Sequence, residues 1–165
     1  MIPWEARSLE ERSLLNPCFC AMLLWHAAVA YREETGRLMS LEESFLVLPI
    51  ILHRETRDAL PRSTRTSLAV WIQENPLTRG RIGARSQALV PYTREALLFA
   101  GLRALLQFQL GTIEPDTGQQ QAVAQVLRNA TDEVKDCAKR ASFVGRWFGR
   151  TGGPTTVLAL LGVRP

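Results

Sequence analysis

FLVLPIILHRETRDALPRSTRTS, residues 45–67, changes character within one residue. Phe45 to Leu52 is an apolar run interrupted only by Pro49. Beyond it the segment carries Arg54, Arg57, Arg62 and Arg65. Just upstream, Ser40-Leu41-Glu42-Glu43 has the form of a capping box, which starts a helix at Leu41. That helix is expected to run to about His53, with Pro49 bending or dividing it. A β-strand over Phe45–Leu52 is the alternative, and both the capping box and the proline weigh against it. An apolar anchor joined directly to an arginine-rich segment suits a device that presents positive charge from a rigid base. A catalytic pocket would instead need a nucleophile, an acid–base pair or metal ligands.

On the N-terminal side, Ser8-Leu9-Glu10-Glu11 repeats the capping-box form and predicts a short helix from Leu9. Asn16 caps and Pro17 opens a second helix that ends near Gly36. Cys18, Met22, Trp25 and Val29 fall on one stripe of it, and Phe19, Leu23, His26 and Ala30 on the next. Apolar residues on both stripes imply burial on more than one side. On the C-terminal side Leu60-Pro61 marks a turn, Ser63 or Thr64 caps a helix through Asn75, and Asn75-Pro76 stops it. Arg79–Leu89 reads as a helix broken before Pro91, and Thr93 caps another through about Arg103. Leu105–Leu110 and Thr112–Glu114 read as strands about Gly111. Three helices complete the chain: Gln119–Asn129, a long one capped by Thr131 or Asp132 through about Arg150, and a short one from Pro154 to Gly162. The expected fold class is mainly α, a single compact helical domain over residues 1–165 with a small β-hairpin. Helix, helix, then hairpin is the order of a winged-helix domain. Residues 41–116 are therefore expected to be winged-helix-like, with the helices of 117–165 packing on them.

At 165 residues, with 46% hydrophobic and 22% charged side chains, the chain is long and apolar enough to bury a core, which argues against disorder. Met1–Arg12 lacks the apolar region of a secretory signal. Ser13–Tyr31 has no formal charge and the length of a membrane span. Asn16, Pro17 and His26 interrupt it, so a buried core helix is expected. Cys18, Cys20 and Cys137 are too few for a disulfide framework and read as reduced thiols of a cytoplasmic protein. The net charge of +4 is unevenly spread. From Arg54 to Arg103 nine arginines stand against Glu55, Asp58, Glu74 and Glu95, 9 − 4 = +5, so the remainder sums to −1. Only Lys135 and Lys139 among the twenty basic residues are lysine, and the planar arginine fork suits fixed pairing with carboxylate or phosphate.

Catalytic chemistry finds little support. Cys18 and Cys20 point about 200° apart on a helix and cannot share an ion with His26 without unwinding it. With His26 and His53 the only histidines, and no glycine-framed serine or cysteine, no triad can be read. Asp132, Glu133 and Asp136 sit in the first turns of a helix, where carboxylates favour the dipole. Gly80-Arg81-Ile82-Gly83 lacks the lysine and the preceding strand of a phosphate loop. No catalytic residue, cofactor or metal is expected. The remaining signal is the set Arg54, Arg57, Arg62, Arg65, Arg79, Arg81, Arg85 and Arg94, a candidate interface. An acidic partner protein is the first reading, since arginine is enriched at hot spots. DNA phosphate is the second, with Arg79, Arg81, Arg85 and Arg94 along one face and the hairpin near Gly111 as the wing. A solvated surface with local pairs such as Arg54–Asp58 is the third.

Four segments in order carry a family resemblance: PWEARSLEERSLLNPCFC (3–20), FLVLPIILHRETRDALPRSTRTSL (45–68), ALVPYTREALLFA (88–100) and FVGRWFGRTGGPTTVLALLGVRP (143–165). Together they resemble the middle component of bacterial three-component ABC (ATPase) systems, a family associated with defence against phage and plasmids. Leu106–Val126 carries none of these motifs. The resemblance implies a small cytoplasmic adaptor that couples an ABC/SMC-like ATPase to a third effector or sensor component. ATP chemistry would belong to the partner, no catalytic residue transfers to this chain, and nucleic acid would be met through the complex. A winged-helix DNA-binding protein acting through the central arginines is the alternative.

Overall fold

The computed structural model describes residues 4–163; Met1–Pro3 of the expected non-secretory start, and Arg164 and Pro165 of the last motif, lie outside them. Helix α1 (Leu9–Leu14) opens on its capping box, Ser8 Oγ accepting the Glu11 N–H at 3.1 Å. Asn16 Oδ1 accepts the Cys18 N–H at 2.9 Å to start α2 (Pro17–Thr35), and Gly36 ends it in the left-handed region at φ 67°. Strand β1 (Met39–Ser40) follows, and Ser40 is at once its last residue and the N-cap of α3 (Leu41–Ile51). The second capping box is buried: Ser40 Oγ accepts the Glu43 N–H and Glu43 Oε2 accepts the Ser40 N–H, both at 3.1 Å. Helix α3 runs through Pro49 as one undivided piece, which disposes of the strand alternative.

The segment after α3 departs from expectation. His53 Nδ1 caps a separate short helix, α4 (Arg54–Asp58), and the next helix, α5 (Leu68–Glu74), starts after Ser67 rather than Ser63 or Thr64. The reason lies in two indoles. Trp71 Nε1–H donates to the Ala59 carbonyl at 2.8 Å and Trp147 Nε1–H to the Thr66 carbonyl at 2.7 Å, so side chains hold both ends of the intervening loop. Pro91 does not break its helix either: α6 spans Pro76–Leu102 without interruption, and Thr93 is a wholly buried interior residue rather than a cap. Both Pro91 and Gln87, whose carbonyl loses its intrahelical partner to the proline, are exposed, so water can satisfy the freed acceptor.

Strands β2 (Leu106–Gln109) and β3 (Thr112–Pro115) form the expected hairpin around Leu110-Gly111. The sequence did not announce that β1 adds to it, Met39 opposite Ile113 and Ser40 opposite Thr112, giving an antiparallel sheet in the order β1-β3-β2. A 3₁₀ turn over Thr117–Gln119 leads into α7 (Gln120–Arg128), then α8 (Asp132–Thr151), capped by Thr131, and α9 (Pro154–Leu161), closed by Gly162. The molecule is thus mainly helical with a small three-stranded sheet.

Helix α2 is the axis of the core, packed by α8 along its length and by α6 and α3 on other sides. Leu23, Leu24, Ala27 and Ala28 are completely shielded, as the double stripe implied. The apolar stretch within Leu9–Thr35 is therefore a capped pair of helices whose longer member is enclosed by protein. Gly145 on α8 makes that closeness feasible, because a Cβ there would overlap the Ala27 carbonyl and lie 2.9 Å from the Ala27 Cα. At the other end, Trp71 and Trp147 meet edge to face at 5.4 Å and join α5 to α8. Cys18 is exposed while Cys20 is buried, and burial together with the Glu95 charge pushes the Cys20 thiol up to about 12.

Candidate interaction surface

The eight arginines singled out in the sequence do not form one surface. Arg57 is enclosed beneath α8. Its Nη1 donates to the Ile51 carbonyl at 2.9 Å, while Nε and Nη2 donate to Asp136 and Glu133, each at 3.1 Å. It thereby satisfies the open C-terminal end of α3 and ties α4 to α8, so it is a structural cation, not a free contact. Asp136 and Glu133, read from the sequence as helix-dipole carboxylates, are its counter-ions. Arg54 makes an exposed pair with Asp58 at 3.7 Å, and Arg81 another with Glu55 at 3.7 Å. Arg85 is half-buried, donating from Nη2 to Thr56 Oγ1 at 2.8 Å and from Nε to the Arg81 carbonyl at 3.2 Å. Arg81, Arg85 and His53 come together here, and the histidine titrates below its usual range because of burial and the two guanidiniums.

The others lie elsewhere. Arg62 and Arg65 are exposed on the loop pinned by Trp71 and Trp147. Arg79 reaches the Ala159 carbonyl near the end of α9 at 3.3 Å. Arg94 is exposed and stands about 140° around α6 from Arg81 and about 20 Å along it. A single phosphate-facing stripe of Arg79, Arg81, Arg85 and Arg94 is therefore absent. The hairpin, from Leu106 to Pro115, has no Lys or Arg, and its only formal charge is Glu114.

A different feature occupies the outer face of α6. A groove of about 710 Å³ runs between α3, α6 and the end of α9. Its floor on α6 is small, Gly80, Gly83 and Ala84, and its walls include Phe45 and Leu158. Arg94 and Glu42 stand at its lining. One turn beyond Arg94 the same face of α6 exposes Leu98 at 65% and Leu102 at 86%, beside Phe108 at 48% and a fully exposed Leu110. The Phe108 ring lies directly over Gly101, where an added Cβ would sit 3.0 Å from Cε2. Leu110 adopts φ 44°, a left-handed backbone that is unfavourable for a leucine and ordinary for asparagine.

Sequence reasoning missed this face because it broke α6 at Pro91. Without a continuous helix, Gln87, Arg94, Leu98 and Leu102 could not be placed on one side. The available signal was Leu97-Leu98: in a helix adjacent leucines point about 100° apart. With Ala96 and Ala100 beside Leu97 on the inner face, Leu98 had to point out.

With a helical core and a small three-stranded antiparallel sheet in view, the class of molecule is a mainly helical domain. The chain belongs to the Middle Component 3 family of ABC-three component (ABC-3C) systems, whose family model matches residues 4–165. Neither the curated proteins nor the solved structures contain a match to it.

Proposed function

We propose that this chain is a non-catalytic, cytoplasmic coupling subunit that links an ABC/SMC-like ATPase to a third effector or sensor component in bacterial defence against phage and plasmids. The observation that carries the reading is membership, over nearly the whole chain, in a family of middle components of a multi-component system. Large apolar side chains at the surface support it, since a contiguous exposed patch is the usual mark of a protein contact. The sheet order β1-β3-β2 supports a winged-helix-like reading of the centre of the chain, extended upstream of 41–116 to take in β1 at Met39–Ser40, with 117–165 packed on it as one domain.

Co-expression with the neighbouring ATPase and third component, followed by size exclusion at micromolar concentration, tests the role. Co-elution with at least one of them is the expected result. Separate elution of this chain from both overturns the reading, and retardation of a labelled duplex by this chain alone would move it to the DNA-binding class.

A further inference from the structure

We propose that the outer face of α6, from Gly80 to Leu102, is a docking track for an acidic amphipathic helix supplied by another component of the same system. The proposal rests on the coupling reading above and names the surface that the coupling uses.

Four observations converge. The floor of the groove is a run of small residues at helical spacing, Gly80, Gly83 and Ala84, flanked by α3 and α9, a shape that admits the ridge of a second helix at close approach. The groove does not end at Arg94, because Leu98 and Leu102 continue the same face to the end of α6. The hairpin walls that extension: Phe108 lies over Gly101, and the Leu41 N–H, beside the groove, donates to the Gly111 carbonyl at 2.8 Å. From Gly80 to Leu102 the track measures about 33 Å, the length of a helix of about 22 residues. Leu110, held fully exposed at a left-handed position, adds an apolar projection at its edge.

Charge selects the occupant. Arg94 lines the groove and Arg79 stands 3.4 Å from where a Cβ on Gly162 would sit, against Glu42 in the lining; Glu95, next to Arg94 on α6, is already paired with Arg7 at 2.8 Å. Arg79 is held to a backbone carbonyl and has no acid partner among the described residues. An incoming helix with an apolar stripe at i, i+3/i+4, i+7 and flanking Asp or Glu matches both the floor and the rim. Nucleic acid does not match, because the floor is apolar and the hairpin lacks a cation. A second copy of this chain matches poorly, since its half-exposed helix α7 carries Arg128 and no acid.

The test uses the full chain with the purified ATPase and third component. A photo-cross-linking side chain replaces Leu98 in one preparation and Gln87 in another, both exposed positions. In separate proteins Leu98→Glu/Leu102→Glu and Arg94→Glu are compared with Lys139→Glu on the distant face of α8, each checked for wild-type melting. The expected result is a cross-link to an acidic, helically patterned segment of one component. The double leucine variant and Arg94→Glu should each weaken binding about 30-fold, and Lys139→Glu by less than about threefold. Undiminished binding by the double variant while the wild type still co-elutes overturns the track and leaves the coupling role standing. So does a cross-link to a second copy of this chain or to a segment without acids. If the wild type binds neither component, the coupling reading fails and the track fails with it.

Discussion

Arg57 and Arg62 belong to the same cationic run, yet only the first is enclosed, with a side-chain exposure of 5%. Removing Arg57 leaves the Ile51 carbonyl without its partner and cuts the ties from α4 to Glu133 and Asp136, both of which stay open to water. Arg57→Ala is therefore expected to destabilise the protein by about 3 kcal/mol, whereas Arg62→Ala and Arg65→Ala should stay within about 0.5 kcal/mol. Urea midpoints at neutral pH measure the contrast. His26 offers a second, pH-dependent case. It is packed between α2 and α8 with Nε2 unpartnered in the interior and Nδ1 3.5 Å from Ser142 Oγ, and burial lowers its pKa from 6.5 to about 4. The unfolded chain then binds the proton first as pH falls. The stability this histidine contributes is complete above pH 6.5 and declines through the window down to about 4, the loss reaching about 2–3 kcal/mol by pH 4.5. Unfolding free energies at pH 7.5 and 4.5 should differ by that much more in the wild type than in His26→Leu. Equal slopes in the two proteins would remove the assignment.

Helix α8 and helix α2 approach at Gly145, where the neighbour is backbone, not a side chain that can swing away. Gly145→Ala should therefore cost about 3 kcal/mol, lowering the melting temperature by several degrees, despite alanine's better helix propensity. Gly149→Ala crowds the Thr35 Cγ2 methyl, a side-chain end, with Glu34 at ordinary contact distance, and should cost less. Elements with their own local punctuation were legible in the sequence. Ser8, Asn16, Ser40 and Thr131 all cap the helices they were expected to start, and Gly36 and Gly162 close theirs. The misplacements came where tertiary contacts overrode local signals. Ser63 and Thr64 are good caps, but the loop that holds them is fixed by the indoles of Trp71 and Trp147, and one of these lies far away in sequence. Pro91 is a good breaker, but its ring faces water on a helix whose other side is anchored by Ile82, Ala96 and Ala100. The two-residue strand β1 has no periodicity to detect and exists only because β3 is there to pair with it.

Taken as a whole, the protein scatters a cationic run of sequence over several parts of its fold. The cations that stood out as a string are dispersed by folding: one is interior, several are tied to backbone or to Glu55 and Asp58, and Arg94 alone of the eight lines the groove. Counting arginines along the chain therefore drew attention to α6, while the exposed Leu98 and Leu102 stayed hidden among ordinary leucines. The bond from the Leu41 amide to the Gly111 carbonyl has a mechanical consequence. It fastens the tip of the hairpin to the first turn of α3, so the hairpin and one wall of the groove share a backbone bond. The smallest strand of the fold, β1, is the joint between them, paired with β3 on one side and running directly into α3 on the other.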